Sequence, residues 1–205
     1  MQKGFTLIEL IITIFILSVA IVGVFGAFSM MVILTSDAAD RLTAAYLAQE
    51  GMEIVRNIRD SNWLHMDFCV QNPADSTCAN SPAWVDGLYA CQSGCEADYT
   101  TTGWGGHVVY PWPTAGNYLN VINGFYKYDI NNILHTKFKR KITTNTLGTD
   151  YIMKVTVQVS WDEKATVLNS AVKQDTQFIC NPANCITAES TIYDWYNYLQ
   201  SQTAP

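Results

Sequence analysis

The chain has 205 residues, a formal net charge of −6 and 15% charged residues. That length fits one ordinary domain, or a smaller domain joined to a membrane segment. The acidic balance excludes a general phosphate-binding surface, which needs a clear basic excess.

The first predicted element is apolar. From Leu10 to Leu34 the sequence carries neither a charge nor a proline. A helix of that length reaches about 37 Å at ~1.5 Å per residue, enough to cross a hydrocarbon core of ~30 Å. A secretory signal has a shorter apolar region of ~7–15 residues and a small-residue cleavage site. Here the run is longer and no A-x-A site closes it, so the segment is expected to stay with the protein. Gly23 and Gly26 interrupt the run. Each is either a soft place in the helix or a point of close helix approach.

The helix is expected to continue past Asp37, through residues rich in Ala, Leu, Glu, Gln and Arg. Leu47, Gly51, Ile54, Val55 and Ile58 recur at three- and four-residue steps and share a face. Arg41, Gln49, Glu53, Arg56 and Asp60 take the remainder, making this half amphipathic. The reading is one long helix from about Phe5 to about Asn62. Its first half lies in lipid or protein, and its second half packs one stripe against a folded head.

Residues 65–120 are rich in Gly, Pro, Asn, Ser and aromatics, and read as loops and short strands. From Gly124 onward FYKYDI, TKFKRKIT and DYIMKVTVQVSW carry strand signals. In the second, Phe138, Arg140 and Ile142 fall on one face and Lys137, Lys139 and Lys141 on the other. In the third, Val155, Val157 and Val159 share a side. TAESTIYDWYNYL is expected to close the sheet or pack on it.

Six cysteines lie beyond the apolar run, which suggests an oxidising compartment. None is expected on the long helix. Their close spacing favours the local pairs Cys69–Cys78, Cys91–Cys95 and Cys180–Cys185, with free thiols as the alternative. Only His65, His107 and His135 supply imidazoles, and no H-E-x-x-H, G-x-S-x-G or P-loop pattern occurs. Cys91-x3-Cys95 with His107 lacks a second couple of familiar ligand spacing, so no metal site is expected. Neither a catalytic constellation nor a cofactor is expected.

Two features allow a binding role. Lys137, Lys139, Arg140 and Lys141 form a basic strand, which is either an anionic contact or a solvated face or protected edge; the acidic balance favours the latter and makes nucleic acid an unfavoured partner. The loop bearing Trp104, Tyr110 and Trp112 is either a partner contact or a plug over a small core.

The N-terminal stretch MQKGFTLIEL poses the sharper question, because Glu9 is a carboxylate inside an apolar helix. Cleavage between Gly4 and Phe5 would create an α-amine four residues before Glu9. In an array of helices that amine could meet the Glu9 of a neighbouring chain, and pairing offsets the cost of burying either charge alone.

MQKGFTLIEL, with Lys3 in a short leader, Gly4 at its end, Phe5 as mature start and Glu9, resembles the signal of type IV prepilins and type II secretion pseudoprepilins. AAYLAQEGMEIVRNIRDSNW resembles the helix that follows in minor pilins and pseudopilins. The resemblance implies a peptidase that cuts after Gly4 and methylates Phe5, a filament core of N-terminal helices, and a β-rich head outside the cytoplasm. Many major pilins carry a proline where this chain has Gly23 and Gly26, and the cysteines do not frame only a C-terminal loop. Both departures lean towards a minor pilin or pseudopilin.

The expected fold class is therefore α+β: a long N-terminal helix packed on an antiparallel β-sheet head, as in pilins. The expected segments are a leader over 1–4, a transmembrane or filament-core half over 5–34, an amphipathic half over 35–63, and an extracytoplasmic head over 64–205. Expected partners are other pilin or pseudopilin subunits, prepilin peptidase, the cytoplasmic membrane and the assembly platform. The alternative is an anchored module at a pilus tip, binding a surface or DNA through the aromatic loop or basic strand. A plain uncleaved signal anchor has no use for a buried Glu9.

Overall fold

The computed structural model describes residues 6–79, 83–101, 109–113, 116–128, 135–147, 151–162 and 178–195. One helix, α1, runs Leu7–Gln71. Seven strands follow: β1 (Cys95–Glu96), β2 (Tyr110–Pro111), β3 (Asn120–Ile122), β4 (Phe125–Lys127), β5 (Phe138–Thr146), β6 (Ile152–Trp161) and β7 (Cys185–Tyr193). The layout is α+β and pilin-like, with antiparallel pairing throughout a five-stranded sheet ordered β2-β1-β5-β6-β7. β3 and β4 form a separate hairpin. Its turn is Asn123-Gly124, both at positive φ (54° and 84°), the conformation a tight two-residue hairpin requires. The chain divides into two compact units, Met1–Leu42 and Thr43–Pro205.

The second unit owes its core to two matching periodicities. On α1, Ala44, Leu47, Ala48, Gly51, Ile54, Val55, Ile58 and Asn62 are buried at helical spacing. On β6, Met153, Val155, Val157 and Val159 are fully buried at every second position. The register sets Ile142 of β5 opposite Val157, and Thr144 opposite Val155. Leu88 and Cys91, from the chain between α1 and β1, join the same core. The Thr144 hydroxyl donates to the Leu88 carbonyl at 2.8 Å, so the loop closes on the sheet through a buried hydrogen bond.

α1 ends later than its periodicity implied. It continues through Trp63, His65 and Cys69 to Gln71, and stops where Asn72-Pro73 disfavours helical backbone. Tertiary contacts support this last stretch. Asn62 donates to the carbonyls of Trp84 and Asp86, and the Trp63 indole donates to Asp194 at 3.1 Å. Cys69 thus lies on the long helix, contrary to expectation, and position 64 is no boundary in the backbone.

Two features of β5 also depart from the sequence reading. β5 lies between β1 and β6, so it is not a sheet edge. Lys139, expected on a solvated face, is only 5% exposed, because Tyr118 bridges to it and lays its ring 4.4 Å from the ammonium. Arg140 is completely buried on the helix-facing side. Its guanidinium donates through Nη1 to Leu47 O at 3.2 Å and through Nη2 to Ala97 O at 2.8 Å, and lies 3.4 Å from the Glu50 carboxylate.

Gly51 makes that arrangement possible. A Cβ there would lie 2.9 Å from Val157 Cγ1 and 3.0 Å from Arg140 Cδ. Gly51→Val is therefore expected to lower the stability of the folded unit by about 1–3 kcal/mol through overpacking. The shift of the denaturant midpoint measures it; an unchanged midpoint contradicts the close packing.

Candidate functional site

The first unit carries Glu9 in the opening turn of α1. The side chains from Leu7 to Leu34 are outward-facing, with Leu7, Phe15, Val22, Phe25 and Phe28 each more than 65% exposed. Among the described residues, α1 is the one helix long and apolar enough to cross a membrane, by length and composition. Four of its hydroxyls are satisfied within the helix. Thr13, Ser18, Ser29 and Thr35 donate to the carbonyls of Leu10, Phe15, Phe25 and Met31 at 2.8–3.0 Å. Such bonds let polar side chains sit in an apolar medium without unmet donors. Glu9 has no comparable internal solution, since a carboxylate cannot donate to a carbonyl when ionised. Gly4 and Phe5 lie outside the described residues. A Cβ added at Gly23 or Gly26 would meet nothing within 4 Å, so each glycine leaves a notch on an uncovered helix surface.

The second unit distributes the remaining candidates. Three disulfides join Cys69 to Cys78, Cys91 to Cys95 and Cys180 to Cys185. Tyr110, on the terminal strand β2, is 53% exposed. Trp112 is instead half-buried: its ring stacks edge-on with Phe178 at 4.9 Å, and Gly116, at φ +67°, lies flat against the indole. It acts as a plug. Lys141 extends its ammonium to 5.7 Å from that indole, and Lys137 approaches Phe138 at 5.8 Å. Burial of Lys139 removes the middle member of the basic row from the surface. Trp104 and His107 lie outside the described residues, and His135 stacks on Tyr118 at 4.5 Å. Among the described candidates for a head ligand, Trp112 and Lys141 come together while Lys139 is withdrawn from the surface.

Residues 1–25 match the family model for the prokaryotic N-terminal methylation motif. The chain carries the type IV pilin and pseudopilin signature. No curated protein and no solved structure matches the chain. The signature belongs to a structural, non-enzymatic type of protein, and it implies association with other pilin subunits and processing by prepilin peptidase. Together with the apolar start of α1, it fits membrane anchoring followed by residence in a filament.

The folded head also contains polar groups that sequence periodicity did not single out. Glu96 is 1% exposed, and its two carboxylate oxygens accept from the Asn117 backbone N–H at 2.6 Å and the Asn117 side-chain amide at 2.8 Å. Asp98, also buried, accepts from the backbone of Tyr128 at 2.9 Å. A two-residue strand offers too short a pattern to reveal such groups. The only signal is the sequence Glu-Ala-Asp directly after a disulfide cysteine.

Burial raises the proton affinity of Glu96 above the ordinary glutamate value, although the Asn117 bonds and the Lys139 charge oppose the rise. The folded head therefore binds this proton more tightly than the unfolded chain. The stabilisation is fully present below the unfolded value of about 4.3 and is lost as pH rises through the folded value. Glu96→Gln is expected to remove this component, so thermal unfolding of the variant declines less steeply from pH 4.3 upward, to the end of the Glu96 titration. An identical pH profile for parent and variant contradicts the assignment.

Proposed function

We propose that this chain is a structural subunit, a minor pilin or pseudopilin, of a type IV pilus or type II secretion filament. The observation that carries the reading is the methylation motif leading without a break into the apolar first half of α1, residues 7–34, whose single charge is Glu9. In this account prepilin peptidase cuts after Gly4 and methylates the new amine of Phe5. The apolar half holds the subunit in the cytoplasmic membrane, with the head outside, until the assembly platform adds it to the filament.

Glu9 then serves assembly. A carboxylate deep in an apolar bundle is destabilising until a cation meets it, and the Phe5 amine of an adjacent subunit is a cation at the right depth. A subunit displaced along the bundle axis leaves both charges unpaired. The pair therefore sets axial register as well as adhesion between helices. The head contributes outer surface and is held to its own segment of α1 by the buried core.

Support for a binding module is narrower. Among the described residues it rests on Tyr110, together with the partly covered Lys137 and Lys141, because Trp112 is packed and Lys139 is buried.

Mass spectrometry of the native protein is expected to give a chain beginning at Phe5 with one added methyl group. A chain still beginning at Met1 contradicts the processing step. Glu9→Ala is expected to leave membrane insertion intact and to reduce recovery in sheared filaments at least about tenfold, the loss corresponding to ~1.4 kcal/mol per contact. Recovery equal to the parent overturns the role of Glu9.

A further inference from the structure

At the C-terminal end of α1 the structure brings together three side chains that the filament role does not use. His65 and Cys69 are four residues apart, on one face of the helix. Cys78 comes back to them on a short helical turn, Ser76–Cys78, capped by the Asp75 side chain. The ligand atoms of His65, Cys69 and Cys78 all lie within 4.8 Å of one another, with His65 buried and both cysteines half-buried. Among the described residues this is the one disulfide so accompanied.

We propose that the Cys69–Cys78 disulfide, once opened by a low-molecular-weight dithiol, becomes with His65 a three-ligand site for a borderline-soft divalent cation of the zinc class. The dithiol supplies two electrons and two protons: it leaves as its cyclic disulfide, and Cys69 and Cys78 become thiols. Coordination then releases both thiol protons to solvent, so the cation is held by two thiolates and one neutral imidazole.

The dimensions suit this change. A tetrahedral ion with ~2.3 Å bonds to sulfur and ~2.0 Å bonds to nitrogen separates its ligands by about 3.5–3.8 Å. That spacing falls within the existing 4.8 Å cluster, so the two sulfurs need only move apart to admit the ion. The imidazole is already oriented. Its Nε2 lies 3.4 Å from the Thr77 hydroxyl, which donates to Asp75 at 2.7 Å and lies 3.9 Å from Cys78 Sγ. Both cysteines remain on elements held by other bonds: α1 by its buried stripe, and the short turn by its Asp75 cap. Disulfide and metal site are thus alternative closures of the same loop.

The test uses the full chain in detergent, reduced with dithiothreitol, desalted without oxygen and titrated with Co2+. The expected result is about one equivalent bound, with a thiolate-to-cobalt charge-transfer band of two-sulfur intensity that Zn2+ abolishes. The unreduced chain gives no band. Cys69→Ser/Cys78→Ser eliminates it, and Cys91→Ser/Cys95→Ser retains it. His65→Ala weakens binding at least about tenfold, as loss of one ligand requires. In the parent, the His65 imidazole resonances shift on adding Zn2+, which separates coordination from a loosened helix end. Absence of the band after reduction, its survival in Cys69→Ser/Cys78→Ser, or unshifted His65 resonances overturns the proposal.

Discussion

The buried guanidinium of Arg140 is the constraint around which the head is arranged. Removing a cation from water is costly unless its donors and charge are met. Here one nitrogen donates to the carbonyl of Leu47 on the helix, another to the carbonyl of Ala97 beyond β1, and Glu50 supplies the opposite charge. Three chain segments distant in sequence must therefore be in place together before Arg140 is accommodated. Leu47 O is four residues before Gly51, whose missing side chain provides the space for the Arg140 stem. Hydrophobic burial drives this packing. The guanidinium favours one register of helix against sheet, because sliding by a turn would strip its partners and move Gly51 away from the Arg140 stem.

The same reasoning, with the solvent changed, applies to the first unit. Its Thr13, Ser18, Ser29 and Thr35 return their hydroxyls to the helix backbone, and its apolar side chains face outward. Glu9 has no such internal remedy. Each unit of the molecule thus contains a charge that apolar surroundings make expensive. Arg140 is answered within its own chain. In the proposed filament, Glu9 is answered by another.

Much of the helix and sheet was legible because periodicity reports burial directly. Leu47, Gly51, Ile54, Val55 and Ile58 shared a helical face in sequence and lie in the core. Val155, Val157 and Val159 shared a strand face and are completely buried. The last two turns of α1, residues 64–71, were not legible, since they carry no apolar stripe; the helix end is held by Asn62 and Trp63, whose partners Trp84, Asp86 and Asp194 are remote in sequence. Lys139 misled for a related reason. Alternation placed it correctly on the face opposite Arg140, but it could not reveal that Tyr118 would cover that face. Solvation depends on what lies above a strand, which the strand's own residues do not encode.

The sequence by itself determined the membrane-length helix, its lone carboxylate, the Gly-Phe junction and the alternating strands, because each depends on residues adjacent along the chain. Tertiary structure decided the order of the strands, the inward clamp of Arg140, the burial of Lys139 and Glu96, and the meeting of His65 with Cys69 and Cys78. These depend on electrostatic and hydrogen-bonding partners brought together from separate segments. Local pattern sets which face of an element avoids water. Only the assembled fold supplies the oxygen, ring or sulfur that a polar side chain finds there.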